Sequence, residues 1–187
     1  VNIIFHEPPK SKPFHINCTK LPHRNILKNI NYVLKIIIMN KLITVAVIDS
    51  GIYPHIDFKN RIVAFKDFVN GRKNAYDDCG HGTHVSGIIA GSGYASHGRI
   101  KGICPAARLA GIKVLDRLGN GRIENVLDAT DWIISHQKDL NIRIVNISFG
   151  ATTFGEKENL IALEKAIEKL WDNNIIVVAA AGNEGPG

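Results

Sequence analysis

"LITVAVIDSGI", residues 42–52, runs through seven almost unbroken apolar, mostly β-branched positions and then stops at an aspartate and a serine. A strand with one face in water alternates apolar and polar residues. Successive apolar residues instead specify a strand buried on both faces, as in a parallel sheet. Three more runs share this character: "LAGIKVL" (109–115), "IRIVNIS" (142–148) and "IIVVAAA" (175–181). Helical patterns separate them. Residues 122–138 place Ile123, Val126, Leu127, Thr130, Ile133 and Ile134 on one face. Residues 156–172 do the same with Leu160, Leu163, Ile167, Leu170 and Trp171, and residues 82–90 offer Val85, Ile88 and Ile89. Strands alternating with helices predict an α/β fold, a three-layer doubly wound parallel sheet.

Residues 1–38 differ in kind. They hold six Lys and Arg against Glu7 alone, a net of +5, while the remaining residues carry 17 against 16, a net of +1. The basicity therefore belongs to this leader, and the body offers no basic stripe for nucleic acid. The leader reads as an arm or pro-segment remnant, or as sequence upstream of a start at Met39. The domain proper is expected over 39–187.

Other classes drop out in turn. Cys18, Cys79 and Cys104 form neither a CxxC pair nor an even set. That argues against a disulfide framework or zinc knuckle and leans towards a reducing, cytoplasmic setting, with secretion as the alternative. The apolar run before residue 48 is broken by Lys35 and Lys41, so no membrane partner is expected. Gly91 to Gly93 follows a helix pattern and lacks both GxGxxG and a GK[ST] ending, which disfavours a nucleotide site.

The polar residues that remain collect at strand ends, where α/β sheets bind ligands. Asp49 ends the first run, Ser148 the third, and Asn183 follows the last. "GHGTH" (80–84) starts a helix, and Gly80 and Gly82 are expected to let that turn approach neighbouring backbone. His81 and His84 lack the glutamate of the HExxH metal motif. Each alone reads as an ordinary structural histidine. The pair Asp49 and His81 says more, because a carboxylate that holds Nδ1–H leaves Nε2 free as a base. His84, one turn on, reads as a packing residue bordering the site.

"VAVIDSGIYPHIDF", "GHGTHVSGIIAG" and "VVAAAGNEGPG" together resemble three signature blocks of the subtilisin-like serine proteases, in that family's order. "YPHIDFKNRIVAFKDFVN" and "YDDCGHGTH" resemble its bacterial intracellular-type members. The resemblance implies a subtilisin-like fold and a peptide or protein substrate, with Asp49 orienting His81, His81 as general base and Asn183 as a side-chain donor to the oxyanion. It implies that Ser148, Phe149 and Gly150 pair with substrate on one side of the cleft, and Gly119 to Gly121 on the other. Ala179 to Gly182, with Ala181 and Gly182 as the substrate-binding residues among them, would line the pocket for the residue before the cleaved bond. Broad specificity follows from main-chain pairing.

The family's Gly-Thr-Ser block does not occur in these 187 residues, and none of the seven serines sits in a nucleophile elbow. "IIVVAAA" also reads as an interior strand that nothing follows, leaving an apolar edge open. The expectation is a C-terminally incomplete domain, inactive alone, whose partner is the rest of the same domain; the alternative is a non-catalytic peptide-binding or vestigial relative. No cofactor is expected. Calcium occurs in the family, and Asp57 matches a ligand position, but "GSGYASHGRIKG" (91–102) lacks the asparagine pattern that supplies the other ligands.

Overall fold

The computed structural model describes residues 3–4, 43–149 and 157–180, with only the backbone of Ile3, Ile4, Lys157 and Glu158. Its elements in chain order are β1 (Ile3–Ile4), β2 (Thr44–Asp49), β3 (Ile62–Asp67), α1 (His81–Ala90), β4 (Arg108–Lys113), α2 (Ile123–Leu140), β5 (Ile142–Ile147), α3 (Lys157–Asp172) and β6 (Ile176–Ala180). A short 3₁₀ turn, Lys59–Arg61, precedes β3.

The sheet runs β1-β6-β5-β2-β4-β3. Its pairs β2/β4, β2/β5, β3/β4 and β5/β6 are all parallel. The four continuous apolar runs thus become β2, β4, β5 and β6. The fifth parallel strand, β3, was not expected. It lies at the edge with most of its residues half-buried and Lys66 exposed, so its sequence carries a weaker apolar signal.

Alternate residues of β2 serve two cores, the physical content of burial on both faces. Ala46 and Ile48 join Val126, Ile133 and Leu170 of α2 and α3. Val45 and Val47 join Ala90 of α1, with Val85 and Ile89 packed against them. Ile48, Ile112 and Ile133 are fully buried. Truncating any one to alanine costs about 2–5 kcal/mol, depending on how far the cavity collapses. The helix faces differ in detail from expectation. Leu160 and Ile88 are exposed at 41% and 52%, and Ala129 and Ala166 take buried places instead. Small residues let helix backbones approach the sheet, and an apolar periodicity does not weigh them.

One expectation is corrected in part. The outer edge of β6 is covered at its last two residues, where β1 pairs with it antiparallel, Ile3 opposite Ala180 and Ile4 opposite Ala179. A segment distant in sequence supplies the missing neighbour, which local pattern does not reveal. The rest of the leader lies outside the described residues.

Candidate active site

The chain builds β3 and β4 on one side of β2, then crosses over to build β5 and β6 on the other. The strand at which the order reverses opens a crevice beyond its carboxyl end. Asp49 is the last residue of β2 and is fully buried. His81 is the first residue of α1, with its side chain 47% exposed.

The two meet. His81 Nδ1 lies 2.8 Å from Asp49 Oδ1 and 3.0 Å from Oδ2. A carboxylate only accepts, so Nδ1 carries the proton and Nε2 presents its lone pair. Among the described residues Nε2 has no hydrogen-bond partner. Asp49 Oδ1 also accepts the Ser50 N–H at 2.7 Å, which fixes the carboxylate's own rotamer. The arrangement can hold an imidazole in one tautomer and orientation while its outer nitrogen takes and returns a proton.

Gly82 makes the meeting possible. A Cβ there would stand 2.2 Å from the Gly51 carbonyl oxygen and 3.1 Å from Asp49 Cβ. Gly80 serves differently from expectation: nothing lies within 4 Å of its would-be Cβ, and its φ of +94° is what requires glycine. His84 is exposed rather than packed; the expectation for it fails because the face it shares turns towards solvent.

The first turn of α1 is capped from upstream. Asp77 Oδ1 accepts from Gly80 N at 2.8 Å, Cys79 N at 3.2 Å and the Ser50 hydroxyl at 2.8 Å. Its Oδ2 accepts from Thr83 N at 2.8 Å and Thr83 Oγ1 at 2.5 Å. Ser50 Oγ in turn accepts the Gly82 N–H at 3.0 Å. Burial pushes the Asp77 carboxyl up, but the Thr83 hydroxyl, the N–H groups of Gly80 and Thr83, and Ser50 outweigh it and hold the group below the usual carboxylate range. Helix-start donors otherwise left unpaired are thereby satisfied. Ser50, fully buried and engaged on both sides, is no free hydroxyl.

Sequence reasoning missed Asp77 and Lys113. Lys113 is fully buried at the end of β4, opposite Asp49 in the β2/β4 register. The signal was present: a lysine inside a run of otherwise buried strand residues needs partners.

The expected substrate-binding residues divide. Gly119 and Gly121 lie beyond β4, where Asp116 Oδ1 accepts the N–H groups of Leu118 at 2.8 Å and Asn120 at 2.9 Å, and Leu115 bridges Gly121. Ser148 and Phe149 follow β5 and are half-buried; Asn146 donates to the Ser148 hydroxyl at 2.7 Å. Both segments thus leave the same end of the sheet as Asp49. Gly150, Ala181, Gly182 and Asn183 lie outside the described residues.

The calcium question turns on Asp57. Its Oδ1 accepts the Ala95 N–H at 2.7 Å and its Oδ2 the Gly93 N–H at 3.3 Å. Donors rather than further oxygens face this carboxylate, so the residues fit a loop anchor and not a calcium shell of six to eight oxygens. Among the described residues no three His, Cys, Asp or Glu side chains cluster as metal ligands. None of the described helices is long and apolar enough to cross a membrane.

Comparison with known proteins agrees with this architecture. The Peptidase_S8 model, described as the Subtilase family, matches residues 40–187. Serine protease AprX of Bacillus subtilis (strain 168) is 41% identical over 150 residues, covering 78% of this chain and 34% of AprX. Subtilisin E of the same organism is 35% identical over 184 residues, covering 97% of this chain and 42% of its own length. Among solved structures, the S41 Psychrophilic Protease superposes with a TM-score of 0.67 at 32% identity, covering 78% of this chain and 47% of its own. The chain therefore spans less than half the length of each of these relatives. Fold, motif order and these matches coincide: the chain belongs to the subtilase family.

Proposed function

We propose that this chain carries the acid–base half of a serine endopeptidase that hydrolyses extended peptides with broad specificity. The observation that supports the reading most directly is the Asp49–His81 hydrogen bond at the mouth of the crevice. His81 Nε2 takes the proton of an attacking serine hydroxyl as its oxygen adds to the scissile carbonyl carbon, and Asp49 stabilises the imidazolium that forms. The same proton then goes to the leaving amine. Water repeats the cycle on the acyl-serine and releases the acid. Asn183 donates to the oxyanion; loss of such a donor is known in this family to cost about 10²–10³ in kcat. Ser148, Phe149 and Gly150 pair with the peptide on one side and Gly119 to Gly121 on the other. Ala181 and Gly182 line the pocket between them.

The serine nucleophile is not assigned to any of the seven serines present. The 187-residue chain by itself is accordingly expected to be inactive. A non-catalytic peptide-binding role is favoured by that same observation. A cytoplasmic location accompanies the reading, supported by the sparse, odd cysteine count, with secretion as the alternative.

A fluorogenic-peptide assay tests both readings. The 187-residue chain should show no turnover, and the product of the whole gene should show turnover that a serine-directed covalent inhibitor blocks. His81→Ala in that product should abolish it. Inhibitor-sensitive turnover by the 187-residue chain would refute its inactivity. A whole-gene product that binds peptide without cutting it would favour the second role.

A further inference from the structure

Lys113 is given no task by the mechanism above, yet its ammonium is placed with unusual economy of donors. Its side chain is fully buried, and Nζ donates to the Ser50 carbonyl at 2.6 Å, the Leu115 carbonyl at 2.7 Å and Asp78 Oδ1 at 2.6 Å. Those bonds use all three N–H groups of an ammonium.

Each acceptor belongs to a different wall of the site. Ser50 follows Asp49 at the end of β2. Leu115 opens the segment that bridges back at Gly121. Asp78 lies in the loop that delivers His81, beside Asp77. The adjacent carboxylates divide the labour: Asp77 takes the Ser50 hydroxyl while Asp78 takes Lys113, which holds the Ser50 carbonyl. Ser50 is therefore gripped by its side chain and by its main chain, from two elements remote in sequence.

A charge taken out of water is costly, and pairing it often only offsets that cost. An apolar side chain would fill this strand position with less opposition. What an apolar side chain cannot do is join three separate chain segments at one point with charge-assisted geometry. We propose that Lys113 is a positioning residue, whose ammonium fixes the strand end bearing Asp49, the loop delivering His81 and the 115–121 rim relative to one another. The assignment rests on the proposed roles of Asp49 and His81.

The test follows the proton on His81 Nδ1, whose low-field NMR resonance and solvent exchange report the bond to Asp49. Asp78→Ala and Lys113→Met are made in the full chain, with far-UV circular dichroism alongside. Asp78 is 35% exposed, so its truncation is the milder arm and decides the matter if Lys113→Met fails to fold. In folded Asp78→Ala the proton should exchange roughly tenfold faster, as expected for losing a hydrogen bond to a charged group. Asp78→Asn keeps an acceptor oxygen and should recover most of the protection. Unchanged exchange in folded Asp78→Ala would overturn the proposal, and so would loss of the resonance only in step with global unfolding. The readout is independent of turnover, so a protein without peptidase activity would remove the functional reading and leave this comparison intact.

Discussion

The two glycine-rich stretches that flank α1 solve the same problem with different results. Each is organised by one carboxylate that accepts main-chain N–H groups: Asp77 at the start of the helix and Asp57 at its end. At the start, Asp77 also engages two hydroxyls, and the segment lies on the buried Ser50 and Asp49. At the end, Tyr94, Ala95 and residues 97–101 stand in solvent around a half-buried Asp57. The same local device gives a fixed geometry where it is tied into the sheet and a surface loop where it is not. Placement of a reactive side chain therefore depends on what the loop anchor itself touches.

The contrast breaks most sharply at Gly82. Gly82→Ala puts a Cβ into the Gly51 carbonyl, and overpacking of this kind costs up to about 3 kcal/mol. Urea denaturation measures it; an unchanged midpoint would mean that α1 does not dock on β2 as described.

Asp77→Ala comes next. It removes the acceptor for the Gly80 and Thr83 N–H groups and for the Ser50 hydroxyl, at roughly 1–2 kcal/mol, the usual effect of losing a helix cap. Its pH signature is separate. A carboxyl held below its unfolded value, about 3.9, stabilises the fold above that pH, and the contribution fades as pH falls through the lower folded value. Wild-type stability should thus fall on acidification below about pH 4, more steeply than that of Asp77→Ala. Parallel pH profiles would show that Asp77 is not the group responsible.

Asp57→Ala should have the smallest effect, about 1 kcal/mol, with faster amide exchange at Gly93 and Ala95 and none at His81. Added calcium should leave the melting temperature where it was. A rise of several degrees that Asp57→Ala abolishes would turn the loop anchor into a metal site.

The same contrast explains what could be read from sequence. β2, β4, β5 and β6 were legible because burial on both faces writes itself as consecutive apolar residues. β3 was not, since an edge strand half in water has no such signature. Asp49 and His81 were legible through the shape of their motifs. Asp77 and Lys113 were only half legible: a buried-strand lysine announces that it needs partners and an aspartate before a helix that it can cap, but their bonds to Ser50, 27 and 63 residues away, leave no local trace. Gly80 and Gly82 were both picked out, but only coordinates separate a backbone needing positive φ from one needing clearance.

The short pairing of Ile3 and Ile4 with the outermost parallel strand has a bearing on handling the protein. Two residues supply few ladder hydrogen bonds, so proline at position 3 or 4, which removes a main-chain donor, would loosen that pairing. The main-chain groups of Ala179 and Ala180 would then lack the partner that β1 supplies, and unpaired strand groups invite pairing with another chain. Aggregation of such a variant under conditions where the parent chain stays clear is the practical sign to expect.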